Sequence, residues 1–125
     1  MNFRGIRGAT SVDANEPSAI LLATRRLLKK IVAANHLQVD DVAGVIFSAT
    51  LDLDAVYPAQ AAREMGWVHV PLLCTQEMDV AGSLGHCIRV MVFWNTDLPA
   101  EKIRHVYLGA AQALRPDLVK GEKND

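Results

Sequence analysis

Eight residues, Cys87 to Trp94 (CIRVMVFW), constrain this chain more than any other stretch. Ile88, Val90, Val92 and Trp94 alternate with Cys87, Arg89, Met91 and Phe93, a two-residue period that predicts a strand. Both sets are apolar apart from Arg89, so the strand reads as covered on both faces. A guanidinium placed there needs an anion, because an unpaired charge taken out of water is costly. Two partners meet that need: an internal carboxylate, Glu77 or Asp79, or an anionic ligand in a pocket floored by Arg89.

At 125 residues the chain makes one core. Half its residues are hydrophobic and fewer than a quarter charged, more apolar content than so small an interior needs. Some apolar surface is therefore expected to meet another subunit. The net charge of -1, with no basic run, argues against a nucleic-acid partner, so any anion must be bound locally. Cys74 and Cys87 form no CxxC and are too few to staple the fold, which suits reduced thiols. The N-terminal MNFRGIRGATSV lacks a signal peptide's apolar run, and no stretch reaches the roughly 18 apolar residues of a membrane span. A soluble, cytoplasmic protein is expected.

Along the chain, Phe3 to Thr10 reads as a short strand broken by Gly5 and Gly8, with Arg4 and Arg7 on opposite faces or ends. Asn15, Glu16 and Pro17 start a helix. Ile20, Leu21, Thr24, Leu27, Leu28, Ile31 and Val32 then recur at helical spacing for about five turns, to Asn35 and His36. The basic residues Arg25, Arg26, Lys29 and Lys30 form a solvated face. GVIFSA, Gly44 to Ala49, is a buried central strand; Ala59 to Met65 is a short helix closed by Gly66; Val70 to Cys74 is the next strand. Gln76 to Gly85 is a shaped loop. After the Arg89 strand, Asp97 to Pro99 open a short helix, Arg104 to Leu108 alternate as a last strand, and Ala110 to Leu114 make a helical turn. Residues 1–119 form a single domain and 120–125 a polar tail. The sum is α+β, a five-stranded mixed sheet with one long and several short helices.

Little in the sequence suits covalent or metal chemistry. Neither cysteine has a helix N-terminus placed to activate it, no serine sits in a nucleophile elbow, and the four histidines lack metal-site spacing. Gly82 and Gly85 precede a strand rather than a helix, so they make no phosphate cradle. What remains is Arg7, Arg63, Arg89 and Arg115 on separate elements, with Glu77 and Tyr107. That set suits a small ligand with more than one carboxylate.

Five blocks carry a resemblance: RGIRGAT (Arg4 to Thr10), SATLDLDAVYPAQAAREMGW (Ser48 to Trp67), CTQEMDV (Cys74 to Val80), CIRVM (Cys87 to Met91), and IRHVYL with LRPDL (Ile103 to Leu118). In this order the chain resembles the monofunctional, trimeric chorismate mutases of the pseudo-α/β-barrel class. The resemblance implies a homotrimer with active sites at its subunit interfaces. It implies conversion of chorismate to prephenate, on the route to phenylalanine and tyrosine, with no cofactor, metal or covalent intermediate. By the same resemblance Arg89 lies beside the breaking ether bond, Arg7 holds the side-chain carboxylate, and Glu77 accepts from the ring hydroxyl. Cys74 lies at the ring and Tyr107 helps to hold the carboxylate. Tyr57, Ala59, Arg63 and Leu73 belong to the binding wall, the first three supplied by the neighbouring subunit. Arg115 matches a residue of the C-terminal segment. Gln60 replaces a lysine, Leu73 a threonine and Tyr57 a phenylalanine expected in relatives.

Two other readings stand beside it. One is a trimer that binds a carboxylate metabolite without turnover, for which an acid aimed at a hydroxyl beside Arg89 would be superfluous. The other is an imine deaminase on a related trimeric architecture, which would be expected to show different sequence blocks.

Overall fold

The computed structural model describes residues 1–115. The expected domain end at 119, the polar tail and the last residues of LRPDL lie outside them. The described chain is one mixed sheet with its two α-helices on one side. Its strands are β1 (Asn2–Ser11), β2 (Val42–Ala49), β3 (Leu72–Gln76), β4 (Cys87–Thr96) and β5 (Val106–Leu108), in the order β3-β2-β4-β1-β5. β4 runs antiparallel to both β1 and β2, while β2–β3 and β1–β5 are parallel. The strand expected to dominate the sequence is thus the centre of the sheet.

Helix α1 (Pro17–Asn35) begins with Pro17 in its first turn, where a missing N–H costs nothing, and ends as His36 turns left-handed (φ 52°). Its apolar stripe packs on β1 and β5, and the short helix α2 (Ala59–Glu64) packs on α1 and β3. Ile6, Leu27, Leu28, Ile31, Phe47, Val92 and Trp94 form the middle of the core between sheet and helices. The basic residues of α1 stay outside it: Arg26, Lys29 and Lys30 are exposed.

Three expectations need correction. β1 is not broken by its glycines; it is an unbroken ten-residue strand. A Cβ on Gly8 would lie 2.9 Å from Ile31 Cδ1 and 3.2 Å from Leu27 Cδ1, so the missing side chain is what lets α1 sit close to the sheet. β3 starts at Leu72, two residues later than expected, because Pro71 contributes only its carbonyl, which accepts from Val45 N–H. The last correction concerns burial. One face of β4 is buried through Ile88, Val90, Val92 and Trp94, but Arg89, Met91 and Phe93 opposite are only half-buried. In β2, likewise, Val45 and Phe47 are buried while Ile46 is exposed. One face of the sheet is open in the single chain.

A 3-10 turn, Gly109–Leu114, follows β5 and folds back against β1. Gly109 adopts φ 58°, and a Cβ there would collide with Ser11 Oγ, which accepts from the Ala110 N–H at 3.0 Å. That glycine therefore lets the turn carrying Leu114 and Arg115 close over the end of β1.

Candidate active site

The open face of the sheet is where the chemistry-bearing side chains gather. Residues paired across a sheet point to the same side. The register aligns Thr75 on β3, Ser48 on β2, Arg89 on β4, Ala9 on β1 and Tyr107 on β5 in one row across all five strands. One pleat away a second row holds Leu73, Ile46, Met91 and Arg7. Ala9, between Arg89 and Tyr107, is buried under the 3-10 turn in a small cluster with Cys87 and Ala111. Over these rows lies a cavity of about 710 Å³, lined by Arg7, Ser48, Glu77, Arg89, Tyr107 and Arg115 among others.

Glu77 follows β3 directly and is tied to β2 twice. Its N–H donates to the Ala49 carbonyl at 2.9 Å, and its carboxylate Oε2 accepts from Ser48 Oγ at 2.7 Å. The same oxygen stands 3.3 Å from Arg89 Nε. The sequence left Arg89 a choice between an internal carboxylate and a ligand, and the fold gives it the first in part. The pair is close, yet Arg89 Nε–H, itself buried, is aligned with no acceptor among the described residues. Attraction without a formed hydrogen bond leaves that donor unsatisfied.

Arg7 is held from behind. Its backbone N–H donates to His105 Nδ1 at 2.9 Å, so the neutral imidazole carries its proton on Nε2. Burial pushes the His105 pKa below its ordinary value, and the charges of Arg7 and Arg115 push the same way. Loop and strand on the other side of Arg89 meet in a latch. Asp52 accepts from Thr50 Oγ1 and from the His86 N–H, and Thr50 Oγ1 accepts in turn from the Cys87 N–H at 3.1 Å. The Thr50 hydroxyl above all, and then the His86 amide and ring, hold the Asp52 carboxyl below its usual range against the opposing effect of burial. Cys87 is shut away with its thiol pKa raised, mainly by burial, which makes it a poor nucleophile.

Arg7, Glu77, Arg89, Tyr107 and Arg115 thus meet around one cavity. The other expected residues do not join them within the single chain. Cys74 pairs with Phe47 and packs toward the core side of β3; with Tyr57 it lines a second cavity of about 610 Å³ that adjoins the first at Thr75 and Gln76. Ala59 is buried in α2, Arg63 is exposed on the same helix, and Leu73 is exposed on β3. Asp79, the alternative partner for Arg89, is exposed and lies by a small cavity with Asp52 and Gly85. Among the described residues no cluster of metal-ligating groups occurs, and no helix is long and apolar enough to cross a membrane.

Sequence reasoning missed Ser48, His105 and Asp52. Ser48 had a signal, as the one hydroxyl in the apolar run GVIFSA. The other two act through backbone amides, which no side-chain spacing displays.

The family described as chorismate mutase type I matches residues 3–118. Over 119 residues the chain is 53% identical to chorismate mutase AroH of Bacillus subtilis (strain 168), covering 94% of each. It is 52% identical over 116 residues to chorismate mutase AroH of Thermus thermophilus, covering 92% of this chain and 95% of that one. The fold matches a solved chorismate mutase from Clostridium thermocellum with a TM-score of 0.86 at 49% identity, over 87% of this chain and 97% of that one.

Proposed function

The chain belongs to the chorismate mutase type I family, and from that premise we propose that it rearranges chorismate to prephenate in the cavity over Arg89. The activity is that of an isomerase in aromatic amino acid biosynthesis. The reaction is one concerted step within a single molecule: a carbon–oxygen ether bond breaks as a carbon–carbon bond forms. No proton, electron or group is exchanged with the protein. The site therefore has to fold the substrate and stabilise charge.

One observation carries the assignment of the site. Arg89 has a buried N–H with no aligned acceptor among the described residues, and its side chain lines a cavity together with Arg7 and Tyr107. In the proposed complex Arg7 and Tyr107 hold the side-chain carboxylate, and Glu77 accepts from the ring hydroxyl. Arg89 stands at the ether oxygen. Cationic forks on two strands hold the dianion in its compact conformer, which lowers the entropic part of the barrier. Negative charge gathers on the ether oxygen only as its bond breaks. A guanidinium fixed there favours the transition state over the ground state, by about 3 kcal/mol if it acts like a fixed oxyanion donor.

The remaining residues fit a site completed by a second copy. In a homotrimer, Tyr57, Ala59 and Arg63 would be presented by the neighbouring subunit, while Leu73 belongs to the binding wall and Arg115 closes the cavity from its own chain. Support comes from the open apolar face: Ile46, Leu73, Met78 and Tyr57 are exposed, and the latter three lie at β3, the edge of the sheet, and the loops beside it. Cys74, behind the row, would shape the ring's surroundings rather than react. The direct test is the loss of chorismate's absorbance on adding purified protein, with prephenate as the product. Unchanged absorbance at high protein concentration would sink the reading.

A further inference from the structure

Ser48 has no part in the chemistry described so far, yet it makes a short side-chain hydrogen bond in the cavity. It stands directly across from Arg89 in the β2–β4 register. Its hydroxyl donates to Glu77 Oε2 at 2.7 Å, the same oxygen that lies 3.3 Å from Arg89 Nε. A carboxylate beside a guanidinium ordinarily closes onto it through two parallel N–H···O bonds. Here it does not: the Nε–H is aligned with no acceptor, although the two groups are close enough to attract.

We propose that Ser48 is a positioning residue that holds the Glu77 carboxylate back from full pairing with Arg89, keeping the Arg89 Nε–H available to the substrate; this rests on reading the cavity as the chorismate site. The serine has one proton to donate, and it is committed to Glu77. With the Glu77 N–H bonded to the Ala49 carbonyl, the residue is fixed to β2 at backbone and side chain together. Removing the hydroxyl leaves the backbone anchor but frees the carboxylate to rotate. The nearest cation is Arg89. A closed pair would cover the donor meant for the ether oxygen and occupy the acceptor meant for the ring hydroxyl. Ser48 thereby lets the internal ion pair and the ligand site coexist at one guanidinium.

The test is a double-mutant cycle read as kcat and KM, with a structural readout beside it. Ser48→Ala should lower kcat about tenfold, in line with the loss of one hydrogen bond to a charged group, with KM changed less. Ser48→Thr, which keeps the hydroxyl, should recover most of that loss. In the Glu77→Gln background, where the neutral amide has no charge to close onto Arg89, Ser48→Ala should cost less than twofold. A crystal structure of Ser48→Ala should show Glu77 moved into an aligned pair with Arg89 Nε. Equal losses in both backgrounds, or a carboxylate that stays off Arg89 when the hydroxyl is gone, would overturn the inference. If the parent protein itself failed to turn over chorismate, the functional reading would fall. The parent and Ser48→Ala crystal structures would still decide what Ser48 does to the pair.

Discussion

At Arg89 charge and position have separable effects. Arg89→Gln keeps a polar side chain that reaches to the Nε position but removes the cation, so it should lower kcat by a hundredfold or more, about 3 kcal/mol, while binding retains Arg7. Steady-state kinetics decide this; weaker binding with normal turnover would make Arg89 a uniform binding residue. His105 makes a different prediction. Its folded pKa is depressed, so the unfolded chain takes up a proton at higher pH than the folded one does. The stability linked to His105 is complete above its unfolded value of about 6.5 and is lost as pH falls through the lower folded value. Urea midpoints measured from pH 7.5 to 5 should fall more steeply in the parent than in His105→Gln. That Arg89 would stand beside a carboxylate or a pocket was legible because an arginine in an apolar alternation has few explanations. Ser48, His105 and Asp52 were not, since two of them bind backbone amides from elsewhere in the chain and the third matters only through the cross-strand register.

At the scale of elements, two contacts set where the site residues stand. Gly8 lies between Arg7 and Ala9, under the close approach of α1. Gly8→Ala would push a methyl into Ile31, Val90 and Leu27 and should destabilise by about 1–3 kcal/mol through overpacking. Urea unfolding at fixed protein concentration measures it. The latch at Asp52 fixes the loop between Glu77 and the start of β4, two residues before Arg89. Asp52→Ala should speed amide exchange at His86 and Cys87 by tenfold or more with little change in the middle of β4, as expected when opening becomes local. Unchanged exchange at both amides would mean that the strand end is held by its ladder alone. Element types were readable from periodicity: the Arg89 strand, the long helix begun by Pro17, the run GVIFSA. The reading went astray where tertiary packing decides. Gly5 and Gly8 suggested a broken strand because propensity says so, whereas the helix needs the space at Gly8. The apolar character of both faces of β4 suggested cover on both, and the single chain supplies it fully on only one.

That open face is the main physical argument about the whole molecule. Ile46, Leu73 and Met78 exposed around a charged cavity make a poor surface for an isolated chain, and the sequence is more apolar than one such core requires. A cyclic trimer would cover the face and bring Arg63 of one subunit to the Arg89 cavity of the next. If each site is shared in this way, Arg89→Ala and Arg63→Ala proteins should each be nearly inactive alone. Unfolded together and refolded, they should regain activity, because some interfaces then join an intact Arg89 to an intact Arg63. With equal random mixing each side of an interface is intact half the time, so about a quarter of the sites should be complete. Turnover should recover to about a quarter of the parent's, with mixing of chains checked by mass spectrometry of a tagged variant. No recovery from demonstrably mixed trimers would place both arginines in the service of one subunit's site, and Arg63 would lose its role across the interface.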